Sequence, residues 1–148
     1  MNDIKILLVD DEEDFIRTLS ERLEMRDLKS NTAFDGEEAI SIVSDKEPDI
    51  MILDLKMPGI NGMEVLRRVR KSYPNIQVII QTGHGNDFDE AEARQLGVFD
   101  YLKKPVDVEL LVERIKAAAK AMKLKDSMAA AAFAEAGEHE TARKMMKG

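Results

Sequence analysis

Two hydrophobic patterns alternate along the chain. Short apolar runs occur at Ile4–Val9, Ile50–Leu53, Ile76–Ile80 and Val98–Leu102, with a weaker one at Lys29–Phe34. Near-continuous apolar runs of this length read as strands covered on both faces, the pattern of a parallel sheet. Between them apolar residues return at helical spacing: Phe15, Ile16, Leu19 and Leu23; then Ala39, Ile40 and Val43; then Met63, Leu66 and Val69. A less apolar segment runs from Asp87 to Leu96, and a last one buries Val108, Leu111, Ile115 and Ala118 or Ala119. Asp35 with Glu38, Asn61 with Glu64, and Asp87 with Glu90 have the spacing of capping boxes. Gly97 stands where a helix C′ residue belongs. Five strand–helix units in sequence, joined by right-handed crossovers, wind into a parallel sheet with helices on both faces.

The strands end in chemistry. Ile50–Leu53 stops at Asp54, and Ile4–Val9 stops at Asp10-Asp11. Ligands of open α/β sheets bind just outside the carboxyl ends of the strands, so these three acids predict one shared crevice. Acids favour the first turn of a helix, which accounts for Glu12, Glu13 and Asp14 but not for Asp10 directly after a buried strand. Three carboxylates in one crevice repel each other unless they take up protons or a cation lies among them. Hard oxygen donors suit Mg²⁺. The fourth strand leads to Thr82 and the fifth to Lys103-Lys104-Pro105, which add a hydroxyl and a cation at the same edge.

Composition narrows the setting. A chain of 148 residues suits one domain with a substantial core. It has no cysteine, hence no disulfide framework and no thiolate metal site. No basic leader precedes the first strand and no apolar run approaches a membrane span, so a cytoplasmic location is expected. Residues 1–116 carry 16 basic and 25 acidic side chains, net −9, and the rest carry net +2. An acidic body argues against direct nucleic-acid binding, which wants a basic face. The Arg67-Arg68-Arg70-Lys71 cluster reads as the cation-rich last turn of a helix.

Taken together, Asp10-Asp11, Asp54, Met57-Pro58-Gly59-Ile60-Asn61-Gly62, Thr82, Tyr101 and Lys104-Pro105 stand in order at successive strand ends. Over residues 3 to about 118 the chain resembles the receiver domain of two-component response regulators, most nearly the nitrogen-regulation type. The resemblance implies a (βα)5 flavodoxin-like three-layer sandwich with strand order 2-1-3-4-5. It implies a signalling phosphoacceptor that assists its own phosphorylation and dephosphorylation, rather than an enzyme acting on a separate substrate. Asp54 would take a phosphoryl group from a sensor histidine kinase or phosphotransfer protein. Asp11, Asp54 and the backbone carbonyl of Lys56 would hold Mg²⁺, with Asp10 acting indirectly. Lys104 would pair with Asp54, and Thr82 and Tyr101 would carry the switch to a downstream partner or a self-dimer. Lys56 and His84, two residues beyond Asp54 and Thr82, depart from the small polar or acidic residues of the chemotaxis type, where dephosphorylation is tuned. The Lys104-Pro105 bond is often cis in this family.

Residues 1–118 are therefore expected to form the receiver and 119–148 a helical, partly frayed extension. Met122 and Leu124 continue the last helix's apolar stripe, Gly137 breaks it, and Glu138–Met146 forms one more short helix. The chain is either a stand-alone receiver or the receiver portion of a longer regulator. A metal-dependent aspartyl phosphatase would want Asp-x-Asp after the first strand; that spacing would need Asp10 and Glu12 here, and Asp54-Leu55-Lys56 fails it altogether. A flavin module would want a hydroxyl- and glycine-rich loop where this chain has Asp-Asp-Glu-Glu-Asp. A degenerate receiver used only for docking would lack some of the expected residues, and none is missing.

Overall fold

The computed structural model describes residues 3–83 and 85–147, with side chains described as far as residue 131. Ten elements alternate: β1 (Ile6–Val9), α1 (Glu13–Glu24), β2 (Ser30–Ala33), α2 (Gly36–Asp45), β3 (Ile50–Leu53), α3 (Gly62–Ser72), β4 (Gln77–Thr82), α4 (Asp87–Gln95), β5 (Asp100–Lys103) and α5 (Val108–Lys147). The sheet is parallel throughout, in the order β2-β1-β3-β4-β5. This is the flavodoxin-like α/β fold expected from the sequence. All of β1 and β3 is buried, as continuous apolar runs require.

Alternate residues of each strand feed opposite faces. Leu7, Val9, Met51, Leu53, Val78 and Ile80 pack against α2, α3 and α4. Ile6, Leu8, Ile50, Ile52 and Ile79 pack against α1 and α5. Each fully buried Leu or Ile contributes roughly 1.5–3 kcal/mol, so the paired layers hold the strand ends firmly where the site is built.

Several local expectations need correction. Phe15 is 36% exposed; Ile16 beside it takes the position that faces the sheet. The α4 cap is Asn86 with Asp89, with both bonds of the capping box present, one residue ahead of the expected Asp87 with Glu90. The other two boxes are partial. Asp35 and Asn61 accept from Glu38 and Glu64 N–H, but the Glu38 carboxylate turns to the Phe34 N–H and Glu64 to Arg67 and Arg68. In α5, Val108 is half-buried and Val112 joins the core in its place. Leu124 is 59% exposed, because the helix has by then passed the edge of the sheet. Gly137 does not break α5, which is helical through to Lys147. A mid-helix glycine costs only about 1 kcal/mol, and good helix formers flank it.

Candidate functional site

The parallel register places Val9 beside Leu53, and the ladder continues one step as Asp54 N–H donates to the Val9 carbonyl. Asp10 and Asp54 therefore leave the sheet side by side, each 2% exposed, while Asp11 turns to solvent. Carboxylate oxygens of Asp10, Asp11 and Asp54 all lie within 4.8 Å of one another. Backbone N–H groups of the following loops turn back on the buried pair, Glu12 onto Asp10 at 3.0 Å and Lys56 onto Asp54 at 3.5 Å. The loop after Asp54 must return tightly under it. A Cβ on Gly62 would run into the Asp54 carbonyl and lie 2.5 Å from the Leu55 Cα, so only glycine lets α3 begin there.

Burial pushes the Asp10 carboxyl above its ordinary value, with the Asp54 charge adding to the rise; hydrogen bonds from Lys104 and from the Glu12 N–H work the other way. Lys104 follows β5, its N–H bonded to the Thr82 carbonyl and its bond to Pro105 cis. Its ammonium donates to Asp10 Oδ2 at 2.6 Å and Glu12 Oε1 at 3.0 Å. Burial opposes its charge, but those two hydrogen bonds outweigh it and raise its pKa. The pairing differs from the expected Lys104–Asp54 contact. Asp10 precedes the turn into α1, which also carries Glu12 and Phe15, and the Lys104 ammonium lies over the Phe15 ring, with Nζ 4.4 Å from its centroid.

Thr82 ends β4 and is buried. Tyr101, on the neighbouring strand, is already 6% exposed in this chain. Its hydroxyl is buried without a hydrogen-bond partner among the described residues and lies where a Cβ on Gly85 would be; that Cβ would also be 3.1 Å from the Thr82 methyl. Burial raises the Tyr101 phenol above its ordinary value of 10.0, and the charges of Asp89, Glu90 and Asp54 add to the rise. Lys56 Nζ lies 3.8 Å from Asp89 on α4, a link from the loop after β3 to the helix beside Tyr101.

The structure thus gathers Asp10, Asp11, Asp54 and Lys104 directly, and sets Thr82 and Tyr101 together one strand away. His84 lies outside the described residues. Sequence reasoning missed Glu12, taken as a helix-end acid, and Phe15, taken as core. It also missed Gly85 and Asp89, and it had Gly62 only as the end of the Met57–Gly62 motif, not as a close approach. Glu12 stands next to the acid pair, and Phe15 sits one turn further along the same helix start; that adjacency was the available signal. The three arginines on α3 are engaged locally: Arg67 pairs with Glu64 and Glu92, Arg68 with Glu64, and Arg70 donates to the Ile76 carbonyl.

An open parallel sheet whose carboxyl edge gathers buried acids, a lysine and a threonine defines an α/β signalling domain of the receiver type. The chain belongs to the response regulator receiver domain family, whose model matches residues 6–116. A response regulator receiver domain protein from Clostridium thermocellum is 36% identical with a TM-score of 0.77, covering 82% of this chain and 98% of that one. The Francisella response regulator 1452 receiver domain is 28% identical with a TM-score of 0.74, covering 80% and 98%. NtrX from Brucella abortus, solved in complex with ATP, is 28% identical with a TM-score of 0.80, covering 86% of this chain. This chain matches only 29% of the NtrX chain. The protein is a phosphoacceptor domain of two-component signalling, a family that works with histidine kinases or phosphotransfer proteins.

Proposed function

We propose that Asp54 is the phosphoacceptor. An Asp54 oxygen attacks phosphorus; the bond from phosphorus to the phosphohistidine nitrogen of a sensor kinase or phosphotransfer protein breaks. Its electron pair leaves on the imidazole, which takes a proton from water. Both reactants are negative, so the work left to the protein is positioning and charge stabilisation. Lys104 offers its ammonium to one phosphoryl oxygen and the Thr82 hydroxyl approaches another. The observation that carries this reading is the convergence of Asp10, Asp11 and Asp54 within 4.8 Å, with Lys104 bonded to one of them.

Those donors are hard, like-charged oxygens, and they fit Mg²⁺, which takes one or two carboxylates and keeps several waters. Asp11, Asp54 and the Lys56 carbonyl would hold it, with Asp10 acting through water; when bound, it supplies charge neutralisation. Added phosphoryl charge, about −1.5 to −2, draws Thr82 inward, and Tyr101 packed beside it transmits the change to a downstream partner or a second copy. Residues 1–118 act as the receiver and 119–148 as a helical extension. No helix among the described residues is long and apolar enough to cross a membrane, and we place the reaction in the cytoplasm.

The test is labelling of the full chain by a small phosphodonor such as acetyl phosphate. Wild type should take a Mg²⁺-dependent, acid-stable and base-labile label, and Asp54→Asn should take none. Equal labelling of the two would refute the assignment, and labelling unaffected by a chelator would refute the metal. A second reading, that this is the receiver portion of a larger regulator, is favoured by the NtrX match, where the same fold fills 29% of the chain.

A further inference from the structure

Lys104 is not idle in the unphosphorylated chain. Its side chain is 14% exposed and its hydrogen bonds go to Asp10 and Glu12, with the Phe15 ring beneath. These contacts differ in what breaking them would cost. Asp10 is buried, and a buried charge stripped of its partner is heavily penalised. Glu12 is exposed and water replaces its partner cheaply. Any movement of the ammonium toward Asp54 therefore gives up Glu12 first and keeps Asp10.

We infer that Glu12, assisted by Phe15, holds Lys104 in a resting position and is a positioning residue that sets how readily the lysine passes to a phosphoryl group on Asp54. The inference rests on the assignment of Asp54 above. Its logic is linkage. A contact made only in the free state lowers the apparent affinity for whatever requires that contact to break. Glu12 stands two residues from Asp10 in sequence and donates nothing to phosphorus itself. Its carboxylate competes for the same ammonium that the incoming oxygens need. An exposed ion pair of this kind is worth up to about a fivefold shift in an equilibrium. The cation–π contact of Lys104 with Phe15 is worth up to about the same, and less once leucine keeps part of the packing.

The experiment is titration of the full chain, with Mg²⁺ present, by beryllium fluoride as a phosphoryl mimic, followed by fluorine NMR. Glu12→Gln should bind it about threefold to fivefold more tightly than wild type, Phe15→Leu roughly twofold more tightly, and Glu12→Asp should fall between wild type and Glu12→Gln. In a Lys104→Ala background the Glu12→Gln gain should vanish, since there is nothing left to hold. A gain that persists there would show simple charge repulsion instead and overturn the inference. So would unchanged or weaker binding by Glu12→Gln. Should Lys104→Ala fail to fold, Phe15→Leu decides: it removes no charge, so a gain supports the hold on Lys104 and a flat result sinks it. If wild type neither binds the mimic nor takes label at Asp54, the Asp54 assignment falls and this inference with it. Binding by wild type with a flat Glu12 and Phe15 series removes the inference alone.

Discussion

Gly85→Ala offers a sharp test of how Tyr101 is held. The obstacle is steric: the new Cβ would coincide with the Tyr101 hydroxyl and lie 3.1 Å from the Thr82 methyl. The ring must therefore leave its position. Exposing a large side chain costs about 1.5–3 kcal/mol, but the hydroxyl is buried without a partner among the described residues, and wetting it returns about 1–3 kcal/mol. The two nearly cancel, so stability should fall by only about 1 kcal/mol, a few degrees in Tm. Ionisation should change more visibly. The chain has two tyrosines, Tyr73 and Tyr101, and no tryptophan, so ultraviolet titration reads them directly once Tyr101→Phe assigns the signal. Burial, with Asp89, Glu90 and Asp54, raises the Tyr101 phenol in wild type; in Gly85→Ala it should return toward 10. The sign for stability follows. A raised phenol pKa contributes stability that is complete below pH 10 and is lost as pH rises through the folded-state value, so wild type should shed that increment above pH 10 and Gly85→Ala should have little of it to shed. An unchanged tyrosine titration in Gly85→Ala would refute the steric reasoning, and a loss of 3 kcal/mol or more would refute the near-cancellation.

Gly62→Ala should be far worse, because its Cβ meets backbone atoms of Asp54 and Leu55 that cannot turn aside; chemical denaturation should show a loss of about 2–3 kcal/mol or more. Ile115→Ala, at a fully buried α5 position, should cost about 2–5 kcal/mol. Leu124→Ala on the same helix, past the sheet, should stay within about 0.5 kcal/mol, and a larger loss would mean the extension packs on something. Asn86→Ala removes the acceptor of the α4 capping box and should cost about 1 kcal/mol, with hydrogen exchange speeding up at Asp89 rather than across the sheet.

The central strands were legible because burial on both faces leaves a pattern no surface element imitates: Ile50–Leu53 has no polar residue to misassign, whereas the half-exposed Ser30–Ala33 left only a weak mark and the strand order followed from the resemblance to receiver domains. Asp10, Asp11 and Asp54 were legible for a related reason. Parallel register aligns strand ends, so a carboxylate after each of two neighbouring strands must meet its counterpart. Legibility ended where side chains choose among partners across loops. Lys104 and three acids are visible in the sequence, but whether the ammonium takes Asp54 or Asp10 with Glu12 depends on the angle at which α1 leaves β1. Gly85 and Gly62 carry no mark that separates a required close approach from an ordinary turn. Phe15 was misassigned because helical periodicity fixes a face only to within one residue, and Ile16 had the better claim to it.

That last error bears on the chemistry. Had Phe15 faced the core, its ring would not lie under the Lys104 ammonium, which would then be held by carboxylates without it. With the ring at the surface, the lysine is held by packing on one side and by carboxylates on the other, although only one of its hydrogen-bond partners is buried. A cation so placed keeps the buried Asp10 paired while remaining free to exchange its exposed partner. The same residue can therefore stabilise the resting acid cluster and answer new charge on Asp54 without leaving Asp10 bare. The arrangement needs an exposed competitor of moderate strength. A buried one in place of Glu12 would hold Lys104 too firmly to release, and none at all would leave the acid cluster's lysine with no resting position to leave.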